Sequence, residues 1–280
     1  MKQRRYLFKF YYIGSKKFHG SQRQPNFLTI EDCLLNALYR KKYIKDVKAS
    51  GFEVASRTDR FVSARGAAFS FNSLKKPILM EINSELPEEI GIWAHAEVPI
   101  DFLSRFNAKY RHYKYIVPES LSFLQKNSKV NLDVIKKACR ELEGKHNFLN
   151  FSKRDNDEKN TIRDIDSVKM TINNNFIIFD FKSKAFLRQQ IRRMVKKILE
   201  LGKGEIDYDE FLELFDETKY ISYQPADPAG LILWDIKFED NIQFEVDIIS
   251  KKKIATYFLN QKLKFDYKAQ FYKILHESDF

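Results

Sequence analysis

The stretch ASRTDRFVSARG, residues 55–66, sets one carboxylate, Asp59, between Arg57 and Arg60, with Thr58 beside it and Arg65 further on. An acid so placed has two readings. In a surface turn it is one half of a weak ion pair, as most exposed acids are. In a pocket, opposite charge favours its ionised form against the desolvation that would protonate it, and the same charge attracts phosphates. Two further stretches point to the pocket. Along residues 185–201 a helical period places Arg188, Arg192 and Lys196 in an i, i+4, i+8 ladder. Like charges at that spacing repel by about a few tenths of a kcal/mol per pair, so the ladder makes sense with anions opposite. In SRFNAKYRHYKYIV, Arg105, Lys109, Arg111 and Lys114 interleave with Phe106, Tyr110, Tyr113 and Tyr115. Basic groups hold phosphates while aromatic faces stack unpaired bases. The bland reading is that strand aromatics line a core.

Other chemistries find little support. His19, His95, His112, His146 and His276 are scattered and form no metal-ligand spacing. GKG at 202–204 lacks a preceding strand and the rest of a phosphate-binding loop, and no GxSxG elbow occurs. Cys33 and Cys139 stand far apart with no CxxC partner, which suits a reducing cytosol and excludes a disulfide framework.

The elements that must position Asp59 can be read around it. RYLFKFYYIG is a first strand, too short and polar for a signal or membrane span. Thr29 with Asp32 forms a capping-box pattern that opens a helix. AAFSFN (67–72), IWAHAEV (92–98) and RHYKYIV (111–117) alternate like strands. Asn131 caps a helix that Gly144 follows, and Asn173-Asn174-Asn175 makes a hairpin turn between IRDIDSVKMTI and FIIFDFKS. A helix over 185–201 with Gly202 past its end and a strand GLILWDIKF (230–238) complete a second half. Strands and helices mix in both halves, which predicts an α+β fold around a largely antiparallel sheet.

Composition sets the outer bounds. With 280 residues and 44% hydrophobic content, including 25 Phe and 14 Tyr, the chain can fill two modest domains or one fused core. Its 49 Lys and Arg against 38 Asp and Glu give a net charge of +11, which favours a polyanionic partner over an uncharged one. The final stretch, KKKIATYFLNQKLKFDYKAQFYKIL, is basic and aromatic. We expect a helix whose Phe and Tyr pack on the body while Lys faces water; an RNA-contacting appendage is the competing reading.

At this point the residues resemble a known family, the TruA-type tRNA pseudouridine synthases. The opening YIGSKKFHGSQRQPNFLTIED, the acid loop ASRTDRFVSARG, LPEEIGIWAHAEVPIDFLSRFNAKYRHYKYIV, GKHNFLNFSKRD with TIRDI, AFLRQQIRRMV and the closing DPAGLILWDI are each similar to a family motif, in the family's order. They cover nearly the whole chain to about residue 240, and RTDR with NFSKRD looks most like the archaeal and eukaryotic branch.

The resemblance implies roles and a setting. Asp59 matches the catalytic aspartate, Tyr113 the tyrosine that stacks on the uracil, Arg192 the arginine paired with the acid, and Arg57 an arginine that helps hold the target base out of its stem. Arg60, Gln22, Arg105, Arg111, Lys153 and Arg188 are expected to contact RNA. The implied fold is two ferredoxin-like halves sharing one sheet, with helices on one face and a basic cleft on the other. Residues 1–110 would form the half carrying the acid, 111–249 the second half and 250–280 the appendage. The implied activity is isomerisation of uridine in tRNA, in or near the anticodon stem-loop. It would proceed by base flipping in a cytoplasmic homodimer, without metal or cofactor and away from membranes. A non-catalytic tRNA-binding or tRNA-folding protein of the same fold is the alternative. Departures bear on it: Ser21 stands for the family's Trp, Glu31 for a Gln, Ser56 and Ser63 for a Gly and a His of the bacterial pattern, and Phe61 for the Gly near the acid.

Overall fold

A computed structural model describes residues 2–154 and 160–277. The first half runs β1 (Arg4–Tyr12), α1 (Ile30–Arg40), β2 (Glu53–Val54), β3 (Ser63–Ser73), α2 (Leu79–Asn83) and β4 (Ile90–Val98). The second runs β5 (Tyr110–Ser120), α3 (Leu121–Ser128), α4 (Leu132–Glu141), β6 (Gly144–Asn147), β7 (Ile162–Asn173), β8 (Phe176–Ser183), α5 (Gln190–Gly202) and α6 (Tyr208–Glu213). It closes with a tight 3-10 turn at Pro228–Gly230 and β9 (Leu231–Lys237). A short β10 (Glu245–Val246) and a long α7 (Ile248–Glu277) follow.

All ten strands join one sheet in the order β10-β4-β1-β3-β9-β5-β8-β7-β6, with β2 beside β3. Each half is a β-α-β-β-α-β unit whose fourth strand lies beside its first: β4-β1-β3-β2, then β9-β5-β8-β7 with β6 added at the edge. That is the ferredoxin-like arrangement. Neighbours are antiparallel except at the seam, where β3 and β9 pair in parallel through Ser63↔Ile232 and Ala64↔Leu233. Asp59 lies four residues before β3 begins, so the acid loop sits at the junction of the halves.

Local chemistry explains the elements. Thr29 Oγ1 accepts from the Asp32 amide while Asp32 accepts from the Thr29 amide, closing the expected capping box of α1. Asn131 caps α4 through the amides of Asp133 and Val134. Asn174 and Asn175 take φ of 46° and 65°, the paired positive values that a two-residue hairpin between β7 and β8 demands. In β5 the alternation sorts types by face: Arg111, Tyr113, Tyr115 and Val117 are buried, while His112 and Lys114 are half-buried on the other face. Tyr113 and Tyr115 sit opposite Phe181 and Phe179 of β8, within the core that α4 and α5 cover with Ile135, Val195 and Ile198. Tyr113 therefore lies on the buried face of β5, in line with Arg111, Tyr115 and Val117.

Two expectations change. Gly202 is the last residue of α5 instead of lying past it, because a Cβ there would meet Ile135 Cγ1 of α4 at 2.5 Å; Gly204, at φ +72°, takes the left-handed position. And α7 does not pack along its length. Tyr257 and Phe258 meet Tyr11, but from Leu259 onward its large apolar side chains, Phe265 and Tyr267 among them, are exposed. Its apolar residues fall all around the helix, so no single orientation could bury them against one surface.

Candidate active site

Thr58 is held from three directions, and that fixes the acid next to it. Its amide donates to Ser21 Oγ at 2.7 Å, its carbonyl accepts from the Ser21 amide at 3.2 Å, and its hydroxyl lies 2.6 Å from the Tyr12 hydroxyl. Gly14 and Gly20 make the approach possible. A Cβ on Gly14 would stand 2.3 Å from the Phe61 carbonyl carbon, and one on Gly20 would stand 3.0 Å from the Thr58 carbonyl oxygen. Gly20 also takes φ +86°, which other residues rarely adopt. The opening motif thus forms the bed on which the acid loop rests. Ser21, in place of the family's large Trp, adds two hydrogen bonds to that loop.

The second half contributes the partners. Arg192, in the first turn of α5, donates from Nη1 to Asp59 Oδ2 at 2.7 Å and from Nε to the Ala226 carbonyl at 2.8 Å. The Ala226 amide returns a bond to the Arg192 carbonyl at 3.0 Å. The segment holding Ala226 is itself pinned: Tyr115 donates to the Asp227 carbonyl at 3.0 Å, and Asp227 caps the Ala229 amide at 2.8 Å. The guanidinium is nearly buried, at 10% exposure, whereas the Asp59 side chain keeps 35% open to a reactant.

Tyr113 completes the group. Its ring meets the edge of Phe186 at 5.5 Å and its hydroxyl lies 3.0 Å from Ser56 Oγ. Burial pushes its phenol above the ordinary tyrosine value, the Ser56 bond and Arg111 oppose that, and the Asp59 charge adds to it. Acid, arginine and tyrosine therefore meet in one place, from the β3 approach, α5 and β5.

Several other expected residues fall elsewhere. The charge ladder is broken: Gln189 takes φ +60° and α5 begins at Gln190, so Arg188 precedes the helix on the surface, while Lys196 pairs with Glu200 at 3.1 Å. Arg192 is the member of the ladder seen to bond the acid. Arg111 is 7% exposed and donates to the carbonyls of Ala55, Arg105 and Lys184, which suits holding the acid loop against β5 better than meeting a phosphate. Arg57, Gln22 and Arg105 are exposed, and Arg60 is half-buried with Nη2 on the Lys16 carbonyl at 3.2 Å. Lys153 is exposed and its amide bonds the Arg188 carbonyl at 2.9 Å, so these two cations and Arg154 line one small cleft. Asp155, the last residue of the NFSKRD motif, lies outside the described residues. No group of three or more His, Cys, Asp or Glu among the described residues could hold a metal ion. Tyr12, Ser56 and Ala226 were given no role from the sequence, although Tyr12 opens the first motif and Ser56 stands in the acid loop as a departure from the family.

Comparison with known proteins finds relatives along nearly the whole chain. Residues 138–239 match a family model described as tRNA pseudouridine synthase. A protein of Methanosphaera stadtmanae named tRNA pseudouridine synthase A is 37% identical over 259 residues, 91% of each chain. Proteins of the same name from Archaeoglobus fulgidus and Pyrococcus furiosus are each 36% identical, over 90% and 89% of both chains respectively.

Proposed function

The chain belongs to the tRNA pseudouridine synthase family, isomerases that act on RNA, and from that premise we propose how its residues convert uridine to pseudouridine. The reaction breaks N1–C1′, turns the uracil and joins C5 to C1′, with a proton lost from C5 and one gained at N1. Asp59 is the catalytic residue. Its carboxylate either bonds covalently to the substrate or stabilises the electron-poor sugar, takes its C2′ proton and returns it when C5 bonds to C1′. Both routes need it fixed beside C1′, and the ion pair with Arg192 holds it there. The single observation behind this reading is that pair, 2.7 Å long, partly open, and adjacent to the buried Tyr113. A protein that only bound tRNA would need no such trio.

A uridine inside a stem cannot reach Asp59, so it flips out at a cost of a few kcal/mol. Stacking on Tyr113 returns about 1–3 kcal/mol of it. Arg57, Arg60, Gln22, Arg105, Lys153 and Arg188 bind the surrounding RNA, with Arg57 placed on the acid loop to keep the base extruded. On the likeness of its motifs we take the target to lie in or near the anticodon stem-loop and the enzyme to work in the cytoplasm as a homodimer. On the same footing we divide the chain into an acid-bearing half (residues 1–110), a second half (111–249) and an appendage (250–280).

The test is to incubate an unmodified tRNA transcript with the protein and with Asp59→Ala, then map pseudouridine by carbodiimide-dependent reverse-transcription stops. New stops with the wild-type protein alone are expected. Identical stop patterns for the two would remove Asp59 from catalysis.

A further inference from the structure

We propose that Phe61 is a specificity-determining residue that stacks on a nucleobase flanking the target uridine, a purine in preference to a pyrimidine. The inference rests on reading the Asp59 loop as the active site. The Val62 amide donates to the Asp59 carbonyl at 3.3 Å and closes a turn over Asp59–Val62. Phe61 occupies its third position at φ +69°, where such turns use glycine. A bulky aromatic in this region is a true outlier. Strain of that kind clusters at functional sites and persists where something else gains from it.

Core packing is not that gain. Phe61 is half-exposed and lies outside the buried apolar cluster, and the close approach of Gly14 is to its backbone carbonyl, not its ring. The ring is instead matched by the Arg60 guanidinium, 4.8 Å from its centroid. Nη2 of that guanidinium bonds the Lys16 carbonyl, while Nε is buried with no partner among the described residues. An aromatic face backed by a planar cation is a surface on which bases stack without sequence-specific hydrogen bonds. It stands two residues from the catalytic carboxylate, within about 7 Å along the chain. When a uridine is extruded, its neighbours lose a stacking partner. Phe61 supplies one, and the larger face of a purine gains more from it.

The experiment compares wild type, Phe61→Gly and Phe61→Trp on transcripts carrying either a purine or a pyrimidine at each nucleotide flanking the mapped target. Phe61→Gly removes the backbone strain, so it is expected to fold with an unchanged or raised Tm. Its KM should rise about tenfold with kcat within about twofold, the range set by losing one base–aromatic stack. The purine preference should disappear, and Phe61→Trp should keep both affinity and preference. Unchanged KM and unchanged preference in Phe61→Gly overturn the proposal and leave Phe61 a tolerated replacement for glycine. Repeating the comparison as tRNA affinity in an Asp59→Ala background separates the two readings. There the stacking role is read from Kd alone, whereas the catalytic role of Asp59 fails only if that background still forms pseudouridine.

Discussion

Tyr113 brings a ring and a hydroxyl to the site, and the two have separable duties. The ring meets Phe186 and is the face proposed to stack on the uracil; the hydroxyl lies 3.0 Å from Ser56 Oγ. Because burial raises the phenol above its ordinary value, it remains protonated through neutral pH. In the proposed mechanism a neutral phenol takes up the C5 proton only as its own passes to Ser56 Oγ and the Ser56 proton passes on to solvent. Tyr113→Phe keeps the ring and removes this path. We expect KM to stay within about twofold and kcat to fall about a hundredfold, as for loss of one general acid–base group. Equal loss in binding and turnover would deny the hydroxyl a role in chemistry. Arg192 shows the same economy, since Nε on the Ala226 carbonyl aims Nη1 at Asp59. A lysine's single ammonium could not reproduce this geometry, in which separate nitrogens of a rigid fork serve the two acceptors.

At the scale of elements, the acid loop depends on how closely the segment after β1 can approach it. Gly14 leaves no space for a methyl group: the Cβ of an alanine would lie 2.3 Å from both the carbon and the oxygen of the Phe61 carbonyl. Neither atom belongs to a flexible side chain, so the loop itself must shift. Gly14→Ala should destabilise the protein by about 1–3 kcal/mol, as overpacked positions do, read as a lower urea midpoint. It should also reduce turnover by more than the lost folded fraction explains, because Asp59 moves with the loop. A variant with wild-type midpoint and full activity would mean the loop is looser than its hydrogen bonds imply.

For the whole molecule, the sheet is continuous but its load is uneven. The two ferredoxin-like units meet at the parallel β3–β9 pair, and the acid and its arginine come from opposite sides of that seam. The geometry of the Asp59–Arg192 pair is thus tied to the docking of the halves. α7 contributes little to either: past Phe258 its large apolar side chains are exposed, and only Ser250 is buried in the entire helix. A chain ending after Phe258 should keep its fold, with a Tm within about 2 °C of the full chain, equivalent to roughly 1 kcal/mol at this size. A fall well beyond that, measured by calorimetry, would show that the outer part of α7 supports the body.

The sequence by itself determined the local and the chemical. The capping box at Thr29, the Asn hairpin, the alternation of β5 and the pairing of Asp59 with Arg192 were all legible, because hydrogen-bonding side chains and two- or 3.6-residue periods act over a few positions and ordered motifs carry family resemblance. The tertiary structure decided what depends on distant neighbours. Whether Arg111 met phosphate or backbone carbonyls, whether Arg188 stayed in the helix, and whether α7 found a surface to cover were set by which chain segments came alongside. Phe61 shows the division most clearly: its identity stood out as a departure in the sequence, but that it holds a glycine-like φ with its ring outside the core is a property of the packed loop. Burial and close approach are many-body outcomes, and no spacing rule within one segment can specify them.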